Sequence, residues 1–296
     1  MDVAVMREPR AVRISLPSRG GEMAALEFGP AERPVDIVFT HANGFNARAY
    51  ASILAPLAAD FHILAIDQRG HGRSGLKPQI EGRTSWYGLR DDLVALLEAL
   101  DLKNVVLGGH SMGGTASILA SAEAPGRVKS LVMFDPVVLS PEVIAANRGG
   151  ERVESPLVQG ALRRRAVFPS HQAVIEAYTG RGAFKSWTPA MLAGYVADGF
   201  RERPDGQVEL TCAPEWEASN FTSQAHDTWD AFARSKAPIS IFRAETGSTC
   251  RVEGQEQDLT ASGRITLQTV PGTTHFLPME RPDIVASALR AAASEP

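Results

Sequence analysis

Short apolar runs alternate with amphipathic stretches through the first half of the chain. Val35–Thr40 and Phe61–Ile66 read as buried strands, and Arg48–Ala59 between them has helical character. From Thr84 to Leu100 the leucines at 89, 93, 96, 97 and 100 recur at helical spacing, with Asp91 and Asp92 on the other side. A strand over Asn104–Leu107, a helix over Met112–Glu123 and a strand over Val128–Phe134 follow. Strands alternating with helices of this length form βαβ units, which predicts a mostly parallel sheet covered on both faces. Ahead of them, Val12–Leu16 and Met23–Phe28 flank Ser18-Arg19-Gly20-Gly21 and predict a short antiparallel start.

The alternation stops after Asp135-Pro136. From about Val137 to Ser235 the pattern is helical, interrupted by prolines at 141, 156, 169, 189, 204 and 214, and rich in aromatic side chains. The β/α pattern resumes at Ile239–Arg243 and Arg264–Val270, and a helix over Pro282–Ala293 ends it. The predicted organisation is a core of residues 1–136 and 236–296 with an inserted helical cap, residues 137–235. Such an insertion would sit over the C-terminal edge of the strands, where open α/β sheets bind ligands.

Composition narrows the partners. A chain of 296 residues with 44% hydrophobic side chains is long enough to bury a core without disulfide or metal staples. Thirty basic against 34 acidic residues give a net charge of −4, without the basic excess of nucleic-acid or membrane-surface proteins. Two cysteines, Cys212 and Cys250, make no disulfide framework and fit a reducing compartment. The amino terminus reaches Arg7, Glu8 and Pro9 before an apolar secretory segment could form, and no apolar run approaches the roughly 18–20 residues of a membrane span. A cytoplasmic protein, monomeric or homodimeric, with a small-molecule partner and no cofactor is expected.

The strongest chemical signal is Gly109-His110-Ser111-Met112-Gly113-Gly114, a G-x-S-x-G placed between a strand and a helix. A serine on so sharp a turn tolerates no bulky neighbours two residues either side. The turn sets its hydroxyl at a helix N-terminus, where the Met112 N–H faces a developing oxyanion. No H-E-x-x-H or clustered Cys/His spacing suggests a metal.

With this elbow the chain resembles the α/β-hydrolase superfamily along nearly its whole length. His41-Ala42-Asn43-Gly44-Phe45 is similar to the superfamily's oxyanion loop, and Asp67-Gln68-Arg69-Gly70-His71-Gly72-Arg73-Ser74 to its D-x-R-G-x-G-x-S loop. Gly272-Thr273-Thr274-His275-Phe276 with Met279-Glu280-Arg281-Pro282 resembles its histidine loop and last helix. The resemblance implies a serine hydrolase of α/β-hydrolase fold carrying a Ser–acid–His triad, with Ser111 as nucleophile and His275 as base.

The acid departs from the pattern. Most members place an aspartate shortly after the strand that follows the cap, yet Ile241–Thr249 contains none. Asp135, at the end of the preceding strand, is favoured, and Glu245 is the alternative. The oxyanion donors would be the Met112 N–H and the Asn43 region; His110, Phe45 and Trp187 are candidate substrate contacts. Asp67, Arg69 and Arg73 suggest an ion-pair set, but the favoured reading of their loop is a structural brace beneath the site, and Arg163-Arg164-Arg165 reads as a solvated face. A small or medium carboxylic ester is the expected substrate; the alternatives are a thioester, a lactone or a C–C bond cleaved on the same triad, or a ligand-binding receptor with little turnover.

Overall fold

The computed structural model describes residues 8–149 and 155–295; Met1–Arg7, where the amino-terminal reading begins, and residues 150–154 of the insertion lie outside the described residues. The strands are β1 (Arg10–Leu16), β2 (Gly21–Phe28), β3 (Ile37–Thr40), β4 (Ile63–Ile66), β5 (Val105–His110), β6 (Val128–Phe134), β7 (Val167–Phe168), β8 (Phe200–Glu202), β9 (Val208–Leu210), β10 (Ile239–Ala244) and β11 (Ile265–Val270). Eight of them form one sheet in the order β1-β2-β4-β3-β5-β6-β10-β11. β1 and β2 run antiparallel, and every pairing from β4 to β11 is parallel. The fold is that of an α/β hydrolase.

The helices are α1 (Ala51–Leu54), α2 (Tyr87–Ala99), α3 (Met112–Glu123), α4 (Pro141–Arg148), α5 (Pro156–Leu162), α6 (His171–Tyr178), α7 (Pro189–Gly199), α8 (Pro214–Thr222), α9 (Thr228–Arg234), α10 (Glu256–Thr260), α11 (Leu277–Glu280) and α12 (Pro282–Ser294). Alternate strand residues serve opposite faces. Val38, Leu64, Leu107 and Leu131 pack under α2 and α3, whereas Ile37, Phe39, Val106 and Val132 pack under α1 and α12. Burial on both sides explains why these strands are continuous apolar runs rather than alternating ones. No helix among the described residues is long and apolar enough to cross a membrane.

Two stretches depart from the sequence pattern. The helix expected over Arg48–Ala59 is broken into a 3₁₀ turn at Ala47–Tyr50, the single turn of α1, and a second 3₁₀ turn at Ala55–Leu57. Pro56 has no N–H to continue the ladder. Between β6 and β10, the prolines that interrupt the helical pattern open the helices: α4, α5, α7 and α8 each carry proline in the first turn. The same segment holds β7–β9, a small sheet ordered β7-β9-β8. Strands of two or three residues are too short to leave an alternation in the sequence.

The topology makes a crevice. The chain leaves β3 for β4 on one side and returns to β5 on the other, so the order reverses between β3 and β5. The loop after β3 and the turn after β5 meet there.

Candidate active site

Ser111 joins β5 to α3 with φ 54° and ψ −123°, a conformation that strains any L-residue with a side chain. Glycine makes the turn sterically possible. A Cβ on Gly109 would lie 2.5 Å from Thr40 Oγ1 and 2.7 Å from the Gly114 backbone; one on Gly113 would lie 2.5 Å from the His41 carbonyl oxygen. These close approaches bring the loop after β3 against the start of α3 and leave the Met112 N–H at the helix opening.

His275 Nε2 lies 3.0 Å from Ser111 Oγ, and His275 Nδ1 lies 2.6 Å from Asp135 Oδ2. Asp135 follows β6 with φ 45° and is buried. The segment after β10, which lacks an aspartate, supplies a cradle for it: the Ala244 N–H (2.9 Å), the Ser248 hydroxyl (2.5 Å) and the Thr249 N–H (3.0 Å) all donate to the Asp135 carboxylate. Burial alone would raise its pKa. The hydrogen bond from His275, the imidazole's charge, and the Ser248 and Ala244 donors outweigh burial and hold it at about 2. Glu245 is exposed and accepts from the Gly272 N–H, so it is turned away from His275.

The N–H groups of Asn43, in the loop after β3, and of Met112, at the start of α3, meet no protein acceptor among the described residues. The Asn43 side chain is committed elsewhere: Nδ2 donates to the Glu217 carbonyl, and Oδ1 accepts from Asn220 Nδ2. Only its backbone N–H is left to face a substrate. Two neutral histidines brace the loop. His41 Nε2 accepts from the Gln68 N–H, and burial pushes its pKa down to about 4. His71 Nε2 accepts from the Gly44 N–H, and burial pushes it far below the usual imidazole range.

The wall beside Ser111 is aromatic. Phe45 meets Trp187 edge-on at 5.0 Å and Tyr195 edge-on at 6.0 Å, stacks on Phe276 at 6.3 Å, and sits 6.2 Å from the His110 ring. His110 was expected to touch substrate, but both its nitrogens are taken by protein groups, leaving only the ring face. The Trp187 Nε1–H is buried and meets no partner among the described residues.

The charged groups correct one expectation. Arg164 does not belong to a solvated face: its guanidinium donates to Glu217 Oε2 at 2.7 Å and to the Tyr195 hydroxyl. Asp67, Arg69 and Arg73 do not pair with one another. Asp67 accepts the Ala47 and Arg73 N–H groups, Arg69 forks onto Asp92, and Arg73 pairs with Asp198 of α7. Asp198 also holds Arg48, so α7 is clamped to the loops beneath the site.

Comparison with known proteins identifies the family and the fold. A family model described as the alpha/beta hydrolase family matches residues 37–288. The chain belongs to that family. A curated relative, the 2-(acetamidomethylene)succinate hydrolase of Mesorhizobium japonicum, is 24% identical over 253 residues, covering 86% of each chain. A crystal structure of E-2-(acetamidomethylene)succinate hydrolase superposes with a TM-score of 0.78 at 21% identity, over 97% of this chain and 100% of that one. A thioesterase domain from the curacin biosynthetic pathway gives a TM-score of 0.73 at 17% identity, over 96% and 100% of the two chains. At these identities the structural likeness is one of fold.

As an alpha/beta hydrolase, the chain carries site residues that its motifs did not announce. Ser248 and Thr249 lie in the segment where the family's acid commonly stands, and they donate to the Asp135 carboxylate at the end of β6. The missing aspartate was the available signal. Glu217 and Asn220 of α8 reach the Asn43 loop from the insertion, and only their contacts in space reveal them.

Proposed function

We propose that the protein is a serine hydrolase that cleaves a small or medium carboxylic ester through an acyl-enzyme. The observation that carries this reading is the hydrogen-bonded line Ser111–His275–Asp135, with its serine on a strained turn at a helix start.

Each group has a role set by its partners. Asp135, charged at neutral pH, accepts from His275 Nδ1–H, which leaves Nε2 bare to take the Ser111 proton. As Ser111 Oγ bonds to the acyl carbon, the carbonyl electron pair moves onto oxygen. The Asn43 and Met112 N–H groups receive that oxyanion, each contributing about 3 kcal/mol to the transition state. His275 then gives its proton to the departing alkoxide as the C–O bond breaks. Water, deprotonated by the same imidazole, attacks the acyl carbon and releases the carboxylic acid and free Ser111.

The insertion, residues 137–235, acts as a cap. Its Trp187 and Tyr195 complete an apolar wall with Phe45 and Phe276, which favours an uncharged acyl group. Ser111 is buried, and the His275 side chain is partly open to solvent.

A panel of p-nitrophenyl esters of two to twelve acyl carbons, with matching thioesters, tests the reading. Turnover that peaks at a short or medium ester and vanishes in Ser111→Ala supports it. Turnover unchanged in Ser111→Ala, or preference for the thioesters, overturns it.

A further inference from the structure

Four groups join the two halves of the proposed machinery. The Ala42 N–H, in the oxyanion loop, donates to Tyr50 Oη at 3.3 Å. Tyr50 Oη lies 2.7 Å from His110 Nδ1, and His110 Nε2 lies 2.8 Å from the main-chain carbonyl oxygen of His275. Ala42, Tyr50 and His110 are all buried.

The proton positions in this line follow from chemistry. A carbonyl oxygen only accepts, so His110 Nε2 must carry a hydrogen. Burial, and then the neighbouring His275, push the His110 pKa down to about 3, so the ring is neutral and Nδ1 is bare. Tyr50 must therefore donate its O–H to Nδ1, which leaves its oxygen lone pairs for the Ala42 N–H. One tautomer satisfies every group, and every bond points the same way.

We propose that Tyr50 and His110 are positioning residues that lock the oxyanion loop and the His275 loop into a single register across the nucleophile turn. This proposal rests on the serine-hydrolase reading above. Neither side chain touches the reacting atoms. Tyr50 fixes the peptide that precedes the Asn43 N–H, and His110 fixes the backbone from which the His275 imidazole hangs. Breaking any link releases both ends, because a bare Nδ1 or an orphaned Ala42 N–H is buried with no other partner. Transition-state contacts suffer, whereas the apolar wall that binds the acyl group stays intact. The loss therefore falls on kcat and spares KM.

The test is a double-variant cycle of Tyr50→Phe and His110→Phe, read by p-nitrophenyl butyrate kinetics and by the rate of Ser111 labelling with a fluorophosphonate. Each single variant should lose about tenfold in kcat and in labelling rate, with KM within about twofold. The double variant should lose only about tenfold in total, not about a hundredfold, because the first break already frees the second link. His110→Gln, which keeps an N–H for the His275 carbonyl, should recover most of the loss. If His110→Phe does not fold, Tyr50→Phe carries the test alone, since it deletes a single oxygen.

Losses that multiply in the double variant, or a lowered melting temperature with labelling rate unchanged, would overturn the proposal. Labelling that survives Ser111→Ala would instead overturn the serine-hydrolase reading, which keeps the two failures apart.

Discussion

The Asp135 carboxylate meets His275 Nδ1 at 2.6 Å from the end of β6, a strand earlier in the chain than the family's usual acid position. β6 and β10 are neighbours in the sheet, so their C-terminal ends open onto the same space. An acid on either strand could reach a histidine following β11. Here Asp135 occupies the space, and the β10 segment turns donors toward it.

That relationship separates the two candidate acids. Asp135→Asn keeps the shape, but its amide would present a donor to His275 Nδ1–H or force the wrong tautomer. Turnover should fall about 10⁴-fold, while Glu245→Gln should stay within about twofold. Ester kinetics on the two variants checks this.

The Ser248 hydroxyl gives Asp135 a charge-assisted hydrogen bond, so Ser248→Ala should destabilise the fold by about 2 kcal/mol at pH 7. Asp135 has its folded pKa below the unfolded value, so this contribution is present above about pH 4 and lost as pH falls toward 2. Urea unfolding of wild type and variant should show a gap at pH 7 that narrows at pH 3.

Arg164, two residues past the end of α5, pairs with Glu217 of α8 behind the loop after β3, with side chains 18% and 13% exposed. Arg164→Met would strand the Glu217 carboxylate, at a loss of about 3 kcal/mol. Adding Glu217→Gln should recover much of that loss. Denaturant midpoints of the single and double variants decide it, with strict additivity against the claim.

Four histidines are buried in neutral form: His41 and His226, pushed down to about 4 and about 3, His110 to about 3, and His71 well below its usual value. In the unfolded chain each titrates near 6.5, so unfolding takes up protons and stability falls as pH drops through that value. Asp67 works the other way. Its burial raises the pKa to about 6, so its share of stability is lost as pH rises from about 4 to 6. The histidines outnumber it, so the melting temperature should drop steadily from pH 7 to pH 5. His226 stacks on Trp86, and His226→Gln should flatten that slope in calorimetry.

The parts of the fold that were legible in the sequence share a physical cause. α3 and β6 have the bounds the pattern gives because each is a long apolar run ended by Ser111 or Asp135-Pro136. The insertion's small sheet was hidden because its strands are shorter than the period that would reveal them. Arg164 looked solvated because three adjacent arginines carry no information about which one turns inward. The acid was ambiguous because chain order is the same for Asp135 and Glu245. Only the pairing of β6 with β10 brings Asp135 to His275. Asn43 was legible as a position but not as an atom, since the contacts that occupy its side chain come from α8.

The central claim is that Ser111 is the nucleophile. Intact-mass analysis after brief exposure to a fluorophosphonate measures this without a known substrate. One adduct per chain on wild type, and none on Ser111→Ala, is the expected result. An unmodified wild-type protein, or an equal adduct on Ser111→Ala, would contradict it.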